Sequence, residues 1–475
     1  MASHSSPTKP KFRVAIWYVA PIYVPGPALT RIPPSGGGVG GLILATTIGK
    51  YDPSIPIDLY EAHDSITTTG AGITIWRRTH EIMTELGLFN DIKGTFTKPP
   101  ESSHGPYFRR SDIPEGGYEW FHQRFRYGPS QMHRQEMIAI MEKHLPASCT
   151  VHFKKRLVSY AEPRSEALPI TLNFADGSTA TTDVLLGADG IRSAVRKTML
   201  ELASDDNKAG EDLRQYIDAT WTGMLVYRGI FPAEDLRKLD PENLCLTEMV
   251  VVICFQSIVT YPVANGTLVN FAAIIADPSL KGTPYEGHWV SDTTNEELVN
   301  AFEDFEPGAR ALFQCCKTPS RWALHVLKKL PLCARGRVTI IGDACHAMTP
   351  HFGAGAGQAI EDAFVLGRLL AHPLTTLSRV QDALSIYQDI RLPFSTSVAS
   401  NSFEMGWLYI FMDPGHYDGT RQEGDLDERG ISAHERAGME KLKQTMLEKW
   451  EWMEKGGAIE EWGEAELRLK EKAGI

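Results

Sequence analysis

The chain has 475 residues, 43% of them hydrophobic and 23% charged, enough to build more than one buried core. A net charge of −11, a pI near 5.8 and the lack of any basic run exclude a nucleic-acid partner. Seven scattered cysteines without a C-x-x-C point to reduced thiols. No stretch approaches the roughly 18 apolar residues of a membrane span, and the Ser/Pro/Lys-rich start lacks the apolar core of a secretion signal. These features predict a cytoplasmic enzyme, monomer or homodimer, acting on a small molecule.

Along the chain, Val14-Ala15-Ile16 reads as a first strand, and Gly36-Gly37-Gly38-Val39-Gly40-Gly41 opens a helix over Leu42 to Gly49. A strand over Ile57 to Tyr60 and then Glu61 follow about twenty residues on. This is the layout of a dinucleotide site: Gly36, Gly38 and Gly41 permit the turn and the close approach of a pyrophosphate, and Glu61 accepts ribose hydroxyls. His133-Arg134 precedes a helical pattern from Met137 to His144, and the strand Val184 to Leu186 runs into Gly187-Ala188-Asp189-Gly190.

From about 205 to 330 the pattern turns to short β runs, at Met224–Tyr227, Val250–Phe255, Ile258–Tyr261 and Leu268–Ile275. Next, the strand Val338 to Ile341 ends in Gly342-Asp343, Pro350 stops the chain, and Gly353, Gly355 and Ala356 lead into a helix over Gln358 to Leu370. That geometry aims a helix N-terminus, with its free N–H groups and positive dipole end, at an electron-rich ligand. A second helix over Ala383–Arg391 is expected to end at Pro393. From about Asp425 a charged, Trp-containing stretch reads as a solvated capping helix pair. Asp343, Cys345, His346 and His351 show no fixed metal-ligand spacing, so no metal is expected.

Taken together and in this order, these segments resemble the single-component FAD-dependent aromatic hydroxylases, in the salicylate-hydroxylase-like branch common in fungi. The resemblance implies an α/β fold: a doubly wound, Rossmann-like FAD domain from residues 11–75, 120–200 and 331–400, a mixed-sheet substrate domain from 76–119 and 201–330, and a C-terminal helical segment, 401–475. It also implies FAD as cofactor and NAD(P)H as co-substrate, docking without a second G-x-G-x-x-G; Arg192 or Arg196 would meet a 2′-phosphate. The reaction implied is hydroxylation of a phenolic or aromatic-acid substrate by O2 through a flavin C4a-hydroperoxide. Two alternatives share the motifs: a ring-dearomatising or epoxidising monooxygenase, and an inactive flavin-fold protein.

By the same resemblance, Arg134 and Asp189 contact cofactor, Asp343 accepts a ribityl hydroxyl, and His346 packs by the flavin. Arg228, in Tyr227-Arg228-Gly229, points into the substrate cavity, where its planar fork suits a carboxylate or phenolate. Tyr261, in Tyr261-Pro262, relays the phenolic proton. The apolar run Val250–Phe255 departs from the family's Gly-containing polar segment at the cavity wall.

One segment breaks the pattern. Trp17 to Ser35, with five prolines, separates the first strand from its glycines. It reads as a retained intron. Trp17-Tyr18-Val19 must be encoded TGG-TA(C/T)-GT, which contains the donor GTA(C/T)GT; Leu29-Thr30 permits the branch sequence CTAAC, and Pro34-Ser35 permits a CAG acceptor. Excision joins TG to the last base of a serine codon, giving Val14-Ala15-Ile16-Cys-Gly36. With the segment present, it is expected to loop outward with low order, leaving Lys11–Ile16 docked as the first strand or displaced from the sheet.

Overall fold

In the computed structural model, residues 10–18, 38–66, 72–98, 104–112, 117–165, 167–206, 210–420, 426–427 and 430–475 are described. The first strand, Val14–Tyr18, is buried along its whole length and lies at the centre of a six-stranded sheet. It pairs in parallel with Val184–Ala188 on one side and Ile57–Glu61 on the other. Val338–Ile340 and Cys149–His152 extend the sheet in parallel, and Ala334–Arg335 closes one edge antiparallel. Near-continuous apolar strands of this kind are what a sheet covered on both faces requires.

The strand is therefore docked, and it is longer than its sequence pattern suggests. Trp17 and Tyr18, the first residues of the supposed insert, belong to it, opposite Tyr60 and Glu61. Both are apolar enough to extend a buried strand, which is the physical reason. Residues 19–35 and Gly36 lie outside the described residues, as does the expected outward loop.

The helix Gly38–Tyr51 packs against Gly355–Ala371 at a near-contact allowed by Gly40, where an added Cβ would fall 3.4 Å from that of Ala359. The second large sheet has eight strands, and its core strand Thr220–Pro232 pairs on one side with Leu268–Ala276 and on the other with Ser320–Val326. The run Val250–Ile253 pairs with Ser257–Val263 and, in parallel, with Tyr107–Arg110. Both its faces are covered: Val250 and Val252 enter one core, Val251 and Ile253 another. That double burial explains the unbroken apolar run.

Two C-terminal expectations are corrected. Pro393 does not end its helix, which runs from Val380 to Tyr409. The lost N–H bond is outweighed by tertiary contacts of the flanking turn, where Arg391, Leu392 and Ser395 are buried. Nor are the last helices a solvated pair. Ala433–Trp450 inserts Met439, Leu442, Met446 and Trp450 into a core shared with Trp76, Phe108 and Phe352, and Ala458–Ala473 inserts Trp462, Ala465 and Leu469 into the core of the parallel sheet. The apolar residues at three- and four-residue spacing form a single buried stripe on each helix.

Candidate active site

A cavity of about 280 Å³ lies between the two sheets. The eight-stranded sheet supplies Arg228, Met249, Val251, Val259, Tyr261, Asn270, Ile274 and Trp322. Opposite stand Arg134, Asp343 and the segment Met348 to Ala356, and the C-terminal helices close the end with Tyr409 and Trp450. Eight residues singled out in the sequence thus meet here: Arg134, Arg228, Tyr261, Asp343, Pro350, Gly353, Gly355 and Ala356.

Gly353 turns the chain with φ 59°, a left-handed conformation that glycine adopts without strain, and Gly355 starts the helix. That helix has no side-chain cap and no acid in its first turn, so its N–H groups remain available to a ligand. Asp343 sits beside it, one carboxylate oxygen 4.0 Å from where a Gly355 Cβ would stand. Burial pushes the Asp343 pKa up to about 6, with His346, Arg134 and Arg196 acting against the rise. Burial likewise pulls Arg134 below the usual guanidinium range, and its buried Nε has no hydrogen-bond partner among the described residues. A free helix N-terminus, an arginine whose Nε is unpaired and an adjacent carboxylate fit the polar edge and ribityl chain of a flavin.

On the substrate side, Arg228 forms no ion pair among the described residues; its guanidinium lies 5.2 Å from the Trp322 ring centroid. Burial lowers its pKa, and the nearby Tyr261 works the other way. Burial raises the Tyr261 phenol, while Arg228 and a hydrogen bond with Thr74 oppose that. The strand Gly72–Ile75 passes so close that a Cβ at Gly72 would fall 2.6 Å from Tyr261 Cε2 and 2.9 Å from its hydroxyl. Gly72 N–H donates to Asn270 Oδ1 at 3.0 Å, which holds the strap in place.

The remaining expected residues lie elsewhere. The Asp189 carboxylate is used as a helix cap: it accepts from Ser193 Oγ at 2.5 Å and from the N–H groups of Ala194 and Val195 at 2.7 and 3.2 Å. Arg196 is spent on backbone carbonyls, of Ala344 at 2.9 Å and Ile217 at 2.8 Å, which removes it as a 2′-phosphate ligand. Arg192 stacks on Trp289, 3.9 Å from its ring centroid. Gly38 begins its helix, and Gly41 and Glu61 flank Tyr18: a Cβ on Gly41 would stand 2.9 Å from the Tyr18 ring, and Tyr18 is paired with Glu61 across the strands.

Sequence reasoning missed two features. His351 lines the cavity, and burial holds its ring pKa down at about 4, so it is neutral. Behind the helix N-terminus lies a buried charge network. His346 Nε2 meets Asp362 Oδ2 at 2.6 Å, and Arg391 Nε donates to Asp362 Oδ1 at 2.9 Å. Arg78 and Arg391 both bridge Glu361 and Glu461. Burial works against the charged His346 ring, yet Asp362 lifts its pKa to about 9. Burial also opposes Asp362 ionisation, but His346 and Arg391 bring it down to about 2. Two adjacent acids inside the apolar pattern Ala359-Ile360-Glu361-Asp362-Ala363-Phe364 were the available signal, since buried acids need paired cations.

Comparison with known proteins agrees with this geometry. A family described as an FAD binding domain matches residues 320–402. The FAD-dependent monooxygenase str9 of Strobilurus tenacellus is 34% identical over 89% of this chain and 95% of its own. A salicylate hydroxylase of Pseudomonas putida is 33% identical over 81% and 87%. A 6-methylsalicylate 1-monooxygenase of Aspergillus terreus is 30% identical over 82% and 84%. A solved salicylate hydroxylase substrate complex superposes with TM-score 0.75 at 29% identity, over 96% of this chain and 98% of that one. Shared along nearly the whole length, with FAD as cofactor and NAD(P)H as the family's typical reductant, these likenesses place the chain among the salicylate-hydroxylase-like FAD-dependent aromatic monooxygenases.

Proposed function

We infer that the substrate is an anionic phenolic or aromatic acid held by Arg228. The observation that carries this reading is a cation facing a cavity, with no acidic partner among the described residues, beside an aromatic ring and a tyrosine. A half-buried guanidinium without a counter-charge is destabilising unless a ligand supplies one. The compounds that two relatives are named for, salicylate and 6-methylsalicylate, carry the carboxylate and phenol such a site would select. Flavin, when bound and reduced by NAD(P)H, supplies the oxygen-transfer chemistry.

This chain's residues then divide the work. Asp343, Arg134 and the Gly355 helix N-terminus hold the cofactor. Arg228 takes the carboxylate or phenolate through its planar fork. Tyr261, next to Arg228, relays the phenolic proton and makes the ring nucleophilic. Met249, Val251, Ile274 and Trp322 exclude water. The seven cysteines are all unbridged, and no helix among the described residues is long and apolar enough to cross a membrane.

The test is a panel of phenols and aromatic acids scored for substrate-stimulated NAD(P)H oxidation, with products analysed. Salicylate-type acids are expected to stimulate oxidation and give hydroxylated rings. Stimulation by neutral substrates alone would sink the reading, and dearomatised or epoxidised products would move the chain to that other branch.

A further inference from the structure

We propose that residues 17–35 are absent from the flavin-bearing enzyme, and that the longer chain is a flavin-free product in which the Tyr18 side chain fills part of the cofactor site. The proposal rests on reading the chain as an FAD enzyme. Its structural support comes from described residues alone.

In the spliced reading Val14-Ala15-Ile16-Cys-Gly36, cysteine takes the strand position of Trp17 and Gly36 that of Tyr18. The first glycine of the fingerprint would then stand opposite Glu61 and Ala188, where Tyr18 stands here. A dinucleotide approaches the backbone at that point, so a side chain there is excluded. Instead Tyr18 is fully buried, its ring packed on Gly41, the third glycine of the fingerprint. Glu61, its partner on the neighbouring strand, and Arg134 act on its phenol in opposite senses, so two groups expected to meet cofactor lie within electrostatic reach of the tyrosine. Its hydroxyl has no hydrogen-bond partner among the described residues, and burial drives its pKa well above the ordinary phenol value. A large buried polar atom left unpaired marks an arrangement that packing has not optimised.

The coding constraint is independent of this. Trp17-Tyr18-Val19 obliges the message to contain GTA(C/T)GT, which begins with the GT of a splice donor and matches the fully complementary GTAAGT at every position but the fourth. Excision from the third base of codon 17 to the second base of codon 35 preserves the frame and replaces nineteen residues with one cysteine.

Three measurements together decide it. Full-length transcript sequencing is expected to find mature messages lacking the segment. The spliced chain is expected to purify with stoichiometric FAD, and the longer chain with little. Added FAD should raise the melting temperature of the spliced chain only, a readout that does not depend on activity. Messages that uniformly retain the segment, or a longer chain carrying stoichiometric FAD, would overturn the proposal while leaving the enzyme reading intact. A spliced chain that folds but neither carries nor is stabilised by FAD would overturn both.

Discussion

Asp362 Oδ2 receives the His346 ring at 2.6 Å and the backbone N–H of Gly342 at 3.0 Å. One carboxylate therefore ties the helix Gly355–Ala371 to the Gly342-Asp343 turn that precedes it. The two sides of the expected flavin cradle are registered by a pair that touches neither cavity nor solvent.

This pair sets a pH window for stability. The His346 pKa is raised to about 9, so its contribution is full below the unfolded value of 6.5 and is lost as pH rises through about 9. Asp362 is lowered to about 2, so its contribution is full above 3.8 and is lost as pH falls through about 2. His346→Gln should therefore cost most between about pH 4 and 6.5, on the order of 2–3 kcal/mol counted once for the pair. The gap in melting temperature from wild type should narrow toward pH 10. A pH-independent gap would show that the ring acts by shape alone. Asp362→Asn, which strands both His346 and Arg391, is expected to cost about 3–5 kcal/mol.

In the flavin-bearing chain that lacks residues 17–35, Asp343→Ala should remove most bound FAD, since a hydrogen bond to a carboxylate contributes about 1.5–3 kcal/mol. With the Asp343 pKa raised to about 6, the unsubstituted spliced apoprotein should also bind FAD more weakly as pH falls through that value, because only the ionised form accepts without donating. Glu61→Ala should weaken binding less, because the Glu61 carboxylate is already partly engaged by the His63 backbone N–H at 2.8 Å. Flavin absorbance of the purified variants and FAD titration between pH 5 and 8 check all three.

Arg228→Lys should raise KM or lower kcat with FAD content unchanged, because lysine cannot reproduce the planar fork. Tyr261→Phe should flatten the pH dependence of hydroxylation if the phenolic proton passes through it. Gly72→Ala is expected to resemble Tyr261→Phe in rate, since the added methyl would displace the Tyr261 ring. Steady-state kinetics across pH separate these outcomes; wild-type kinetics in Arg228→Lys would make that residue structural.

Trp450 closes the cavity from a helix that sequence alone made peripheral. It packs against Phe352 at 4.6 Å, Trp76 at 5.1 Å and Phe125 at 5.4 Å between ring centroids. Trp450→Ala should cost about 3–5 kcal/mol of stability. Trp450→Phe should keep the fold while widening acceptance of bulkier substrates. Thermal unfolding and the substrate panel test this, and an unchanged panel for Trp450→Phe would leave the residue a packing element only.

The sequence by itself determined the α/β class, the flavin chemistry and most of the cavity's polar groups. Each of these is written in local signals: strand ends running into glycines at Gly36–Gly41, Asp189-Gly190 and Gly342-Asp343, the helix after Gly355, and Arg228 and Tyr261 at fixed offsets on β runs. Tertiary structure alone decided the rest. Whether Pro393 stops a helix depends on what its neighbours bury, and whether Asp189 faces a ligand or caps a helix depends on where Ser193 and Ala194 fold. The network of Arg78, His346, Glu361, Asp362, Arg391 and Glu461 joins residues up to 383 positions apart. Trp450 enters the cavity only because its helix docks there. Local patterns encode backbone conformation and which face is apolar. They do not encode which distant charge or ring will meet that face, because long-range partners are chosen by packing and desolvation across the assembled fold.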